Sequence, residues 1–131
     1  MEIKRCTAAD EAALFALIRE EGDEWKDYWG AEGMEQYRHA LRSSVVYAAY
    51  DGAKLCGYAR CRDDDGFGLY IYDLLVRQSR RGSGLGRALM ERAAAGYPSA
   101  STYVMGDVPG YYEGHLGYQP EGSIYMVNTP T

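Results

Sequence analysis

Residues 80–90 read RRGSGLGRALM, and the spacing of residue types there points to one chemistry. Gly82, Gly84 and Gly86 alternate with Ser83 and Leu85, and an apolar run with helical spacing follows directly. The first amides of a helix have no intrahelical acceptor and lie at the positive end of its dipole. Glycine lets successive N–H groups turn inward and leaves room for a ligand against the backbone. A turn of this kind seats phosphate, and arginines beside it add charge-assisted donors. Arg77, Arg80, Arg81, Arg87 and Arg92 are five of the 14 basic residues, with only Glu91 opposing them within the stretch. In a chain of net charge −5, one local basic cluster fits a small anion rather than a polyanion, so a nucleic-acid partner is not expected.

Two familiar phosphate loops do not fit. A P-loop requires G-x-x-x-x-G-K-[ST], and no lysine follows a glycine here. A dinucleotide fingerprint requires G-x-G-x-x-G/A, but from Gly82 the last position is Arg87 and from Gly84 it is Leu89. Taken alone, the same glycines also suit a plain strand-to-helix turn.

Other residues could carry chemistry. Asp73 lies inside the apolar run FGLYIYDLLV (67–76), where strands seldom hold an acid. The segment GDEWKDYWG (22–30) sets Asp23, Glu24 and Asp27 beside Trp25, Tyr28 and Trp29. Acids and aromatic faces together suit a cation, although tryptophans covering a core would look the same. Cys6, Cys56 and Cys61 are odd in number and, with the distant His39 and His115, make a poor metal set. No metal is expected, and the cysteines read as free thiols in a reducing cytoplasm. The N-terminus MEIKRCTAADEA lacks an apolar signal core and no apolar stretch reaches bilayer length, so a cytoplasmic protein without a membrane partner is expected.

The elements that must position these residues follow from period and turn signals. A chain of 131 residues suits one domain spanning 1–131. EIKRC (2–6) reads as a strand, and Thr7 with Asp10 resembles a capping box before a helix carrying Ala13, Leu14, Leu17 and Ile18. A second helix is expected over about 31–42. VVYAAY (45–50), the turn DG and AKLCGYARC (53–61) read as a hairpin, and 67–76 as a central strand. Leu85, Ala88, Leu89 and Ala93 share one helical face until Gly96 and Pro98. STYVMGD (101–107) reads as a strand, 109–115 as a short turn or helix, and the end as a hairpin through Tyr118 and SIYMV (123–127). The order β-α-α-β-β-β-α-β-α-β-β implies a mixed, mostly antiparallel α/β sheet of about six to seven strands flanked by about four helices.

The loop matches R-x-x-G-x-G as Arg81-Gly82-Ser83-Gly84-Leu85-Gly86, directly after a strand ending DLLV. With the element order and YYEGHLGY (111–118) beside the pattern FYEKLGF, the chain resembles the GNAT family of N-acetyltransferases. The resemblance implies acetyl-CoA as cosubstrate: residues 81–87 would contact its pyrophosphate, and Leu74, Leu75 and Val76 would pair with its pantetheine arm. It also implies a gap between the strand ending near Val76 and the strand beginning near Ser101, with a strand N–H near Leu75 as oxyanion donor. A tyrosine of the YYEGHLGY segment would protonate the departing thiolate. Aligning the shared YE selects Tyr112, but one extra residue before Gly117 leaves Tyr111 open as the alternative. Asp73 is a candidate base for the acceptor amine, or an ion-pair partner of a nearby arginine; Asp107 is a similar candidate. His115 reads as exposed rather than catalytic. The acceptor would lie against 22–30, with Glu24, Trp25, Tyr28 and Trp29 as its contacts, and against the terminal hairpin. The expected function is acetyl transfer from acetyl-CoA to a primary amine of a small molecule or peptide; a CoA-binding sensor without turnover is the alternative. Exposed strand edges leave a homodimer open.

Overall fold

In the computed structural model, which describes residues 1–106 and 108–130, five strands form one sheet in the order β1-β2-β3-β4-β5. These are β1 (Glu2–Arg5), β2 (Val45–Asp51), β3 (Lys54–Asp63), β4 (Gly68–Val76) and β5 (Ser101–Val104). The first three pairings are antiparallel and β4–β5 is parallel. The helices are α1 (Glu11–Glu20), the single turn α2 (Lys26–Trp29), α3 (Gly33–Arg42) and α4 (Leu85–Ala95). No helix of the described residues is long and apolar enough to cross a membrane.

Local chemistry sets the boundaries. Thr7 and Asp10 close a reciprocal capping box, with the Thr7 N–H donating to Asp10 Oδ2 at 2.9 Å. Asp10 also accepts from the Tyr50 hydroxyl at 2.7 Å, which ties the start of α1 to β2. Leu14, Leu17 and Ile18 then point one helical face inward.

Each face of the sheet has its own core. Leu14, Phe15, Leu17, Ile18, Tyr37 and Leu41 from α1 and α3 pack on Val46, Ala48, Leu55, Tyr58 and Leu75. Leu85, Leu89, Met90 and Ala93 from α4 pack on the opposite face against Tyr47, Ala49, Cys56, Ala59, Cys61, Leu69 and Ile71. Cys56 and Cys61 are therefore buried, Cys6 is half-buried, and all three are free.

The expected terminal hairpin does not form: residues 117–130 carry no regular secondary structure, and the sheet has five strands rather than six or seven. Ile124, Tyr125, Met126 and Val127 are 71%, 83%, 76% and 96% exposed. Strand composition needs a partner edge to become a strand, and SIYMV meets none among the described residues. Asp107 falls outside the described residues.

Asp73 is 7% exposed and pairs with Arg60 across the β3–β4 register, while its Oδ2 accepts from the Tyr37 hydroxyl at 2.7 Å. The Tyr37 and Tyr58 hydroxyls lie 2.8 Å apart, so the network joins α3 to two strands. Removing one charge leaves the other buried without a counter-ion, which costs about 3–5 kcal/mol. Arg60→Ala is expected to lose stability of that order in denaturant melts. Arg60→Met combined with Asp73→Leu is expected to recover most of it.

Candidate active site

A cleft of about 510 Å³ opens where β4 and β5 part. The two strands pair only from Gly68↔Ser101 to Ile71↔Val104, with one further bond from the Met105 N–H to the Ile71 carbonyl at 3.0 Å. β4 continues to Val76 without β5. Its other edge stays on β3, where the Arg77 N–H donates to the Cys56 carbonyl at 2.7 Å. Bonded pairs in an antiparallel ladder recur at every second residue, so Asp73 and Leu75 face β3. The peptide groups of Leu74 and Val76 face the gap instead. The expectation placed a donor near Leu75, whose own peptide groups face β3. Leu74, Leu75 and Val76 all line the cleft.

The glycine loop forms one end of it. Gly82 and Gly84 sit at φ +82° and +84°, a left-handed conformation that side chains disfavour. Gly84 is the N-cap of α4 and no side chain caps that helix, so the amides of its first turn keep their donors turned to the cleft. Gly82, Gly84, Leu85, Gly86 and Arg87 line it, as do Arg80 and Arg81. Ser83 does not; its hydroxyl turns back to the Arg80 carbonyl at 2.5 Å.

The arginines are not free charges. Arg77 pairs with Glu20, Arg80 with Asp51 and Arg81 with Glu21, at 2.6, 2.5 and 2.6 Å. Arg87 donates to the Leu116 carbonyl at 3.3 Å, and Arg92 lies 4.9 Å over the Tyr47 ring, facing away from the cleft.

The opposite wall comes from residues 108–116. The extra residue before Gly117 is absorbed as a π-helical turn over Tyr111–His115, with the Leu116 N–H reaching the Tyr111 carbonyl at 3.1 Å. Inserted residues of this kind re-aim side chains near functional sites. Both tyrosines consequently reach the cleft. The Tyr111 hydroxyl rests over Gly86, 3.1 Å from where a Cβ would begin, and His115, exposed as expected, stacks on the Tyr111 ring at 5.7 Å. Tyr112 packs edge-on to Tyr111 at 5.0 Å and lies against Gly106, just past the end of β5.

Of the acceptor candidates, Glu24 and Trp25 line the cleft. Tyr28 and Trp29 do not: Tyr28 packs on Tyr37 at 4.8 Å and Trp29 Nε1 donates to the Gly22 carbonyl at 3.0 Å. Asp73 stays outside as well, in its pair with Arg60. Glu21 does line it, one residue before the segment singled out from the sequence. The signal that could have found it is an acidic run, Glu20, Glu21, Asp23 and Glu24, matching the arginine cluster in strength.

Comparison with known proteins gives the family and the fold. The family model described as the Acetyltransferase (GNAT) family matches residues 12–102. A serotonin N-acetyltransferase 2, chloroplastic, from Oryza sativa subsp. japonica is 34% identical over an 88-residue alignment that covers 60% of this chain and 44% of that relative's length. The chain thus spans less than half of that relative. A GNAT-family acetyltransferase structure from Streptococcus pneumoniae is 26% identical, covers 98% of both chains and superposes with a TM-score of 0.70. An aminoglycoside 6'-N-acetyltransferase from Acinetobacter haemolyticus shares the fold at TM-score 0.71 and 16% identity over 100% of both chains.

A branched side chain at Gly86 would enter the space between the Tyr111 hydroxyl, Leu74 and Val76. Gly86→Val is expected to weaken coenzyme A binding at least tenfold by calorimetry, while circular dichroism reports an unchanged fold.

Proposed function

Since the chain belongs to the acetyltransferase (GNAT) family, we propose that it moves the acetyl group of acetyl-CoA to the primary amine of a small cationic acceptor. The observation that carries this reading is the parting of β4 and β5 after Ile71↔Val104, which turns the Leu74 and Val76 peptide groups into a line between the α4 N-terminus and Tyr112. The first-turn amides of α4, with Arg81 and Arg87 beside them, suit a diphosphate. The peptide groups of Leu74 and Val76 suit the amides of a pantetheine arm, and an N–H there suits the negative charge that develops on a thioester oxygen. Acetyl-CoA supplies the activated acyl group and a thiol leaving group.

Glu24 and Trp25 on the far wall suit a protonated amine with an aromatic or aliphatic body. An arylalkylamine such as serotonin, the substrate in the rice relative's name, is therefore the first acceptor to try. The nucleophile must be neutral, so the ammonium first releases a proton to water. The amine nitrogen then bonds to the acyl carbon and the C–S bond breaks. Tyr112, at the β5 end of the gap, gives its phenolic proton to the leaving sulfur, and the proton lost by the new amide nitrogen restores it through solvent. Tyr111 stands over Gly86 at the phosphate end, farther from where a thioester would lie, and suits orientation of the pantetheine arm. Holding both substrates in one cleft supplies much of the acceleration.

Incubation with acetyl-CoA and a panel of serotonin, spermidine and kanamycin, read as released thiol, tests the reading. Turnover of at least one amine is expected. A general acid contributes about 10²–10⁴-fold, so Tyr112→Phe is expected to lower kcat by about a hundredfold with little change in coenzyme A affinity, and Tyr111→Phe to lower kcat far less. Tight coenzyme A binding without turnover of any amine would make the protein a cofactor sensor instead.

A further inference from the structure

The three arginine–carboxylate pairs near the glycine loop differ in one respect that bears on the acceptor. Glu20 and Asp51 are 52% and 53% exposed, so water balances much of their charge whatever their arginines do. The Glu21 side chain is only 8% exposed and forms its ion pair with Arg81. It follows the last turn of α1 and lines the cleft beside Glu24 and Trp25, on the acceptor side. Arg81 opens the glycine loop on the cofactor side and is held by two contacts: Nη2 on Glu21 Oε1 at 2.6 Å and Nε on the Val76 carbonyl at 2.9 Å. One ion pair therefore spans both halves of the cleft.

We infer that Glu21 binds the ammonium of the acceptor, and that its pair with Arg81 couples acceptor binding to cofactor binding. This rests on the acetyltransferase reading of the same cleft. Before either ligand binds, Arg81 neutralises Glu21, and neither charge is fully available. A diphosphate on the glycine loop draws on the Arg81 donors and leaves Glu21 with excess negative charge in a poorly solvated position. That charge is costly unless a cation arrives. A cation at Glu21 in turn releases Arg81 to the phosphates. By linkage, each ligand strengthens the other by the same factor, commonly about 5–150-fold for coupled sites.

The chemistry uses the coupling in both directions. Cofactor binding creates the acceptor's counter-ion, so the amine is held where a thioester is present to receive it. Acetylation then turns the basic nitrogen into a neutral amide that no longer balances Glu21. Arg81 returns to Glu21, and the spent carrier loses part of its grip. The sequence could not reveal this pair, because its members lie 60 positions apart.

The test is a calorimetric titration of the full chain with coenzyme A, alone and with a saturating amount of whichever panel amine turns over fastest. The N-acetylated form of that amine serves as the neutral control. For the wild type, the amine is expected to tighten coenzyme A about tenfold and the neutral control to leave it unchanged. In Glu21→Gln, coenzyme A alone is expected to bind at least as tightly as to the wild type, the amine effect is expected to vanish, and the acceptor KM is expected to rise at least tenfold, more than kcat falls. Asp51→Asn, which breaks the exposed pair of Arg80, is expected to keep the coupling. If Glu21→Gln does not fold, Arg81→Gln tests the same link from the other side: its acceptor affinity is expected to be independent of coenzyme A. Coupling that persists in Glu21→Gln or Arg81→Gln, is lost in Asp51→Asn, or is absent from the wild type overturns the inference while the acetyltransferase reading stands. A wild type that binds no coenzyme A, or acetylates none of the three amines, overturns both.

Discussion

A strand has two edges, and buried peptide groups on each must find partners. β4 meets this requirement along its whole length on the β3 side, but on the β5 side only up to Ile71. Beyond that point Leu74 and the Val76 N–H face a cleft, the Val76 carbonyl accepts from Arg81 Nε, and the features that define the site gather around this unfinished ladder. α4 begins at its end, the tyrosine turn closes over it, and the segment after α1 faces it. β4 is held between β3 and β5 and carries core side chains on both faces, which keeps it in register. The gap is thus a fixed property of the fold.

Charge is arranged around that gap in opposed pairs. The basic cluster is local in sequence, yet each of Arg77, Arg80 and Arg81 is met by a carboxylate from elsewhere in the chain. The loop is therefore held in shape before any anion reaches it. Uncapped helix amides add to the positive potential of its side chains. On the other face of the sheet, Arg60, Asp73, Tyr37 and Tyr58 form a closed polar network that fixes α3 against β3 and β4. That network gives the acid in the strand interior its partners.

What could be read from the sequence was what short range decides. The glycine loop, the capping box of Thr7 and Asp10, and the extra residue before Gly117 each act within a few positions, and each appears as a distinct local structure. What could not be read depends on distance or register. The carboxylates on Arg80, Arg77 and Arg81 come from 29, 57 and 60 positions away. The partner of Asp73 could not be read either, because it depends on the pairing with β3, which skips Tyr72 and sets Asp73 opposite Arg60. Tyr28 and Trp29 have the composition of a binding surface but are used to pack the segment that carries Glu24 and Trp25. SIYMV has the composition of a strand, and composition alone does not supply an edge to pair with.

The placement of sulfur in this chain has a chemical consequence of its own. A thioester is attacked far more readily by a thiolate than by a thiol, so any accessible low-pKa cysteine near an acyl carrier would intercept its cargo by exchange. Burial pushes the thiols of Cys6 and Cys61 up to about 12, and Cys56 is wholly enclosed beneath α4. At neutral pH only about one part in 10⁵ of a thiol with that pKa is ionised. None of the three cysteines lines the cleft, so the sulfur of this chain is kept apart from the site as well as protonated.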